Sequence, residues 1–111
     1  MKLYVEDVGN VTVVSLVGEL DGNTAPDAQS QVLDLMGPGV QILLDMTDLE
    51  YMSSAGARTL LLIHRQITQN EGDLILAGLN VEIADMLAAT GFLDYFDVAA
   101  SVDDGLAMYG E

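Results

Sequence analysis

Residues 43–56 have the sequence LLDMTDLEYMSSAG, which joins an apolar strand, a short acidic loop and two hydroxyls at the expected start of a helix. The first turn of a helix leaves backbone N–H groups without partners and favours added negative charge. An exposed Ser54 in that turn is therefore a suitable place for a phosphate. On local chemistry alone, a serine at a helix start is more often just an N-cap, so both interpretations stay open at this point.

The composition indicates one domain covering residues 1–111. Half of the residues are hydrophobic, and the absence of cysteine excludes disulfides and cysteine-based zinc sites. No apolar run approaches the roughly 18 residues that a membrane span needs. Glu6 and Asp7 interrupt the N-terminus where a signal peptide would need an apolar core, so a cytoplasmic location is expected.

The charge balance narrows the range of partners. Eighteen acidic residues stand against three basic ones, Lys2, Arg58 and Arg65, and the formal net charge is −15. Such a chain repels nucleic acid and anionic membranes. A basic protein surface is the favoured partner, approached with electrostatic steering. The alternative is that the carboxylates serve mainly to keep a small apolar domain soluble.

Turn and cap signals divide the chain into alternating strands and helices, which predicts an α/β fold with parallel crossovers. Strands are predicted at five apolar or β-branched runs: residues 3–8, 11–18, 40–46, 73–77 and 96–99. Helices are predicted after four start signals: from Thr24 to the stop at residues 37–39, over 55–70, from Asn80 to Gly91, and from Ser101 through Met108. Gly9-Asn10 is a hairpin signal, and residues 18–23 are predicted to be a loop. One joint core is expected to contain Leu43, Leu44, Leu60, Leu61, Ile75 and Leu87.

Two segments resemble a known family. Asp45-Met46-Thr47 followed by residues 51–56, YMSSAG, resembles the signature of the STAS domain found in bacterial anti-sigma factor antagonists. Residues 18–21, GELD, followed by a helix, resemble the second recurring feature of that family. The resemblance covers nearly the whole chain. It implies a single STAS-type domain, an α/β fold with a mixed β-sheet and helices packed mainly on one side.

The resemblance also implies a function, that of an anti-sigma factor antagonist in a partner-switching pathway. The unphosphorylated form would bind a serine kinase that is also an anti-sigma factor, phosphorylation at Ser54 would release it, and a separate serine phosphatase would reverse the change. A monomer or weak dimer without cofactor or metal is expected. The implied partner contacts lie around the acceptor and in the second feature: Asp21, Met52, Ser53, Ser54, Gly56 and Arg58.

The sequence leaves some alternatives open. Ser53 stands where the family commonly has aspartate, so two adjacent hydroxyls compete as acceptor. Asp21 has a plain interpretation as a solvated turn residue. A scaffold or sensory STAS module that binds a regulator outside sigma-factor control is the alternative function. An enzyme with Ser54 as nucleophile is disfavoured, and no catalytic residue is predicted, because His64 lies roughly 15 Å away along the helix axis.

Overall fold

The computed structural model describes all 111 residues as six strands, four α-helices and one 3₁₀ turn. The strands are β1 Lys2–Val8, β2 Val11–Leu20, β3 Gln41–Asp45, β4 Leu49–Met52, β5 Asp73–Ala77 and β6 Asp97–Ala99. The helices are α1 Ala25–Leu33, α2 Ser54–Gln69, α3 Val81–Thr90 and α4 Val102–Met108, and the 3₁₀ turn is Phe92–Tyr95. None of the helices combines the length and the apolar character that crossing a membrane requires.

The sheet is mixed, with the strand order β1-β2-β3-β5-β6. β1 and β2 form the predicted antiparallel hairpin, in which Val8 is paired with Val11 across the Gly9-Asn10 turn. All other pairs are parallel, and β4 pairs with the end of β2. This α/β arrangement confirms the fold that the family resemblance implies.

The prediction of loops at residues 18–23 and between the third strand and the second helix was wrong in part. β2 continues to Leu20, and β4 pairs in parallel with its last residues. The register shifts between Gly18 and Glu19, and Gly18 has a φ of 111°, which favours glycine. β4 lacks the alternation that marks a strand in sequence, because its two middle residues are both exposed. Only its pairing with a distant segment makes it a strand.

Side-chain caps start two helices as predicted, but not α1. Asn80 accepts a hydrogen bond from the Ile83 amide at 2.8 Å, and Ser101 accepts one from the Asp104 amide at 3.1 Å. The Thr24 hydroxyl caps nothing in α1. It accepts from the backbone N–H of Asp21 at 3.0 Å and so belongs to the preceding loop. The prediction that the Thr24 side chain starts this helix as a cap was therefore wrong.

The core has two parts, one on each face of the sheet. Helices α1, α2 and α3 cover one face, where Leu44, Leu60 and Leu87 are buried together. α4 covers the other face, over a smaller cluster that contains Leu43 and Ile75. Successive strand residues point to opposite faces, so five of the six residues predicted to form one core are split between the two. The remaining one, Leu61, is only half-buried, at the edge of the larger cluster.

Two contacts hold α4 against the sheet. Gly105 lies directly on the Leu43 side chain, where a Cβ atom would leave too little space. Tyr109, directly after α4, donates a hydrogen bond from its hydroxyl to the Ile42 carbonyl at 2.8 Å. Burial of the phenol, with Asp73 and Asp97 adding negative charge, raises the pKa of Tyr109 well above its usual value of 10.0. The phenol is therefore neutral at all physiological pH values.

Candidate functional site

The two adjacent serines occupy different positions at the start of α2. Ser53 is the N-cap residue, with an extended backbone, and its hydroxyl accepts a hydrogen bond from the Gly56 amide at 3.1 Å. Ser54 is the first residue of the helix and is exposed. The interpretation of Ser54 as an N-cap was therefore wrong, because Ser53 is the cap. The cap hydroxyl is already engaged, whereas the Ser54 hydroxyl lies at the surface.

The start of α2 is fixed to the end of β2. The Ser53 N–H donates a hydrogen bond to the Leu20 carbonyl at 2.9 Å. Gly56 is buried in the same place, and a Cβ atom there would collide with the carbonyl oxygen of Leu20. Gly56 therefore permits a close approach of helix and strand. It was predicted to contact a partner directly, but its burial makes it a packing residue beneath the surface.

Met52 was predicted to be an exposed apolar contact, and this was wrong. Its side chain is only 4% exposed and belongs to the main core. The neighbouring side chain, Tyr51, is 50% exposed. The two neighbouring side chains therefore differ, with Met52 in the core and Tyr51 at the surface. The aromatic residue beside the serines is thus a surface group that the sequence analysis did not name as a contact.

Asp21 organises the loop that precedes α1. Its carboxylate accepts hydrogen bonds from the backbone N–H groups of Asn23 at 2.9 Å and Thr24 at 3.1 Å. These bonds, with a weaker one from the Thr24 hydroxyl, hold the pKa of Asp21 below its usual value of 3.8. The next residue, Gly22, faces Ala55, since a Cβ atom on Gly22 would lie 3.8 Å from the Ala55 Cβ. The loop therefore lies beside the start of α2, and the two motifs of the sequence meet in space.

Asp45 braces the loop after β3. One carboxylate oxygen accepts hydrogen bonds from the Thr47 hydroxyl at 2.6 Å and the Thr47 amide at 3.1 Å. The other accepts from the Ser15 hydroxyl on β2 at 3.2 Å. This side chain thus links two strands and the turn that leads towards β4. Its observed contacts are structural.

An open cleft of about 250 Å³ lies next to Ser54, between β4 and α3. Its residues come from these two elements and from the start of α2: Glu50, Tyr51, Met52, Ser53, Ser54, Glu82, Ile83 and Met86. Glu50 and Glu82 are exposed, whereas the first turn of α2 contains no acidic residue. The helix start can therefore accept a negative charge, but two carboxylates border the space in front of it.

The remaining candidates lie apart from the cleft. Arg58 is exposed on α2, one turn beyond Ser54. The His64 ring is half-buried and meets the Phe96 ring edge-on, with 5.1 Å between the centroids. No group of three or more histidine and carboxylate side chains is placed to hold a metal ion.

Both the sequence and the fold are similar to those of known proteins. The model of the STAS domain matches residues 2–105. BtrV of Bordetella bronchiseptica, a candidate anti-sigma factor antagonist, is 29% identical over 110 residues, covering 98% of this chain and 95% of that protein. The anti-sigma-B factor antagonist of Bacillus subtilis is 25% identical over 93 residues, covering 84% and 85%. The crystal structure of an anti-sigma factor antagonist from Mycobacterium paratuberculosis has the same fold, with a TM-score of 0.87 at 22% identity, covering 99% of this chain and 94% of that one.

Proposed function

This chain belongs to the STAS domain family, and we propose that it is an anti-sigma factor antagonist switched by phosphorylation of Ser54. Its unphosphorylated form binds a serine kinase that is also an anti-sigma factor, and the client of that factor is released. The kinase phosphorylates Ser54, and the complex then dissociates. A serine phosphatase removes the phosphate and restores the form that binds the kinase. The names of the two relatives support the general role. The protein acts in the cytoplasm, as a monomer or weak dimer.

The observation that carries this proposal is the exposure of Ser54 beside an engaged Ser53. A kinase needs a hydroxyl that can enter its active site, and Ser54 lies at the surface. The Ser53 hydroxyl is instead half-buried and held at the helix start by the Gly56 amide, so it is less free to enter a kinase active site. The position of the two hydroxyls therefore favours Ser54 as the acceptor.

The proposed partner surface follows from the accessible residues. Asp21, Ser53, Ser54 and Arg58 are exposed or half-buried around the helix start. The exposed Tyr51 ring contacts the partner in place of Met52. Gly56 lies beneath this surface, where it packs the start of α2 against Leu20.

The switch operates on the contact rather than on the fold. A phosphoserine adds about −1.5 to −2 charges and three strongly hydrated oxygens. The start of a helix tolerates this charge, so the domain stays folded. A close-packed partner must desolvate the phosphate in front of Glu50 and Glu82, which is costly. A loss of about 3 kcal/mol weakens binding more than a hundredfold.

Titration calorimetry with the purified cognate kinase tests the proposal. Ser54→Asp should weaken binding by about a hundredfold, while Ser54→Ala should bind like the wild type and resist inactivation by ATP. Ser30→Asp is the matched control, because Ser30 is an exposed serine on α1, away from the cleft. Circular dichroism verifies that each variant is folded. Binding of folded Ser54→Asp at wild-type strength, or a phosphate mapped to Ser53 or Thr47, would contradict the proposal.

A further inference from the structure

The exposed face of α2 continues well beyond Ser54. Arg58, Leu62, Arg65 and Gln69 follow at steps of four or three residues, which places them in one row along the helix. Leu62 is 47% exposed within this row. The row also contains two of the three basic residues of the whole chain. In a protein with 18 acidic residues, it is the one surface where basic side chains recur.

A groove lies beside the second half of this row, between α2 and the 3₁₀ turn. It is an open cavity of about 560 Å³, larger than the cleft at Ser54. Its walls are formed by five residues of α2 and one of the turn: Leu61, His64, Arg65, Thr68, Gln69 and Tyr95. The Tyr95 ring is 57% exposed. None of these side chains is acidic, whereas Glu50 and Glu82 border the cleft at Ser54.

We infer that this groove binds an acidic segment of a partner protein that carries an apolar or aromatic anchor. Leu61 and Tyr95 offer apolar surface to the anchor. The Arg65 guanidinium is suited to hold a carboxylate through paired hydrogen bonds. Gln69 supplies a neutral donor and acceptor for the backbone of the segment. The Thr68 hydroxyl donates its hydrogen to the His64 carbonyl at 2.8 Å and so supplies only an acceptor.

Charge complementarity selects this occupant. A short acidic segment interacts mainly with the charge nearest to it, that of Arg65, because salt at physiological strength screens charges more than about 8 Å away. A nucleic acid or a second copy of this chain covers a larger surface, and so brings its negative charge against the acidic remainder of the domain as well.

The groove is a separate site from the proposed phosphoacceptor. Arg65 follows Ser54 by eleven residues on one helix, so the two lie roughly 16 Å apart along its axis. The inference therefore goes beyond the proposed function and holds whether or not Ser54 is phosphorylated.

An NMR titration of the ¹⁵N-labelled full chain tests this inference. The probe is a capped peptide of glutamates with two leucines and one phenylalanine at helical spacing. We expect saturable shifts of amide signals in and beside the groove, at Leu61, Arg65 and Tyr95, and no such shifts with the same peptide made with lysine. Shifts that are scattered over the domain, or that do not saturate, would overturn the inference. So would equal shifts of these signals with a single-stranded oligonucleotide, or shifts on raising the protein concentration alone.

Charge-reversal variants locate the binding contact. Arg65→Glu should weaken peptide binding at least about tenfold, because it removes a charge-assisted hydrogen bond and adds repulsion. Lys2→Glu is the matched control, since it makes the same change of charge on the edge strand β1. It should change the affinity less than about twofold, as should Ser54→Asp. Equal losses in Arg65→Glu and Lys2→Glu would show that only the overall charge matters, and would overturn the assignment of the groove.

Discussion

The Ser53 hydroxyl accepts a hydrogen bond from the Gly56 amide at 3.1 Å and so caps the helix that begins at the exposed Ser54. Ser53→Ala should lower the free energy of unfolding by about 1 kcal/mol, the usual cost of a lost cap. Ser54→Ala should lower it by less than about half as much, because an exposed substitution outside the cap has little effect. Urea denaturation followed by circular dichroism measures both. Equal losses would show that the two hydroxyls share the capping role.

Because Gly56 lies against Leu20, we expect the stability of the domain to be sensitive to substitution of this glycine. Gly56→Ala should lower the free energy of unfolding by about 1–3 kcal/mol, because the added methyl group collides with a backbone carbonyl that cannot move freely. Gly37→Ala is the control, since nothing lies within 4 Å of a Cβ atom there. Denaturant titration of the two variants gives the comparison. A wild-type stability for Gly56→Ala would mean that the strand end and the helix start are not fixed to each other.

Two neighbouring leucines of α2 should respond differently to truncation. Leu60 is fully buried in the main core, so Leu60→Ala should cost about 2–5 kcal/mol. Leu61 is half-buried at the edge of that core, and Leu61→Ala should cost less than about 2 kcal/mol. Chemical denaturation of the two variants tests the orientation of the helix. A larger loss for Leu61→Ala would show that α2 is rotated relative to the sheet.

We expect the buried Tyr109 phenol to make the folded domain less stable at alkaline pH. Tyr109→Phe removes the bond to the Ile42 carbonyl and should cost about 0.5–1.5 kcal/mol near neutral pH. The pKa of Tyr109 is raised by folding, so its contribution is complete below the unfolded pKa of about 10 and is lost as the pH rises above it.

Unfolding curves of wild type and Tyr109→Phe between pH 7 and pH 11 test this sign. The difference between the two proteins should shrink, and then reverse, above about pH 10. The three other tyrosines are common to both proteins and do not affect the comparison. A difference that stays constant over the whole range would contradict the pKa direction.

Local signals made much of this fold predictable from sequence. Asn80 and Ser101 cap helices through amides only three residues away, so a window of a few residues contains the information. β4 was not predictable in this way. Its strand character depends on pairing with the end of β2, past the irregularity at Gly18, and its own exposure pattern does not alternate.

The candidate site was predictable in position but not in detail. The family pattern identified the segments of Asp21 and Ser54, and the structure brings those segments together. The predicted helix began one residue late, and that single residue determines which serine is the cap. The burial of Met52 and the exposure of Tyr51 were not predictable either, because the exposure pattern of β4 does not alternate and so does not show which side chains point inward.

The hydrogen bond from the Ser53 amide to the Leu20 carbonyl has a consequence for newly synthesised chains. It joins residues that are distant in sequence, so the helix start takes its shape only after β2, β4 and α2 have come together. In an unfolded chain, residues 51–56 form a flexible peptide with neither cap nor helix. If the proposed kinase recognises this helix start, it acts on folded molecules alone, and unfolded copies are not subject to the proposed switch.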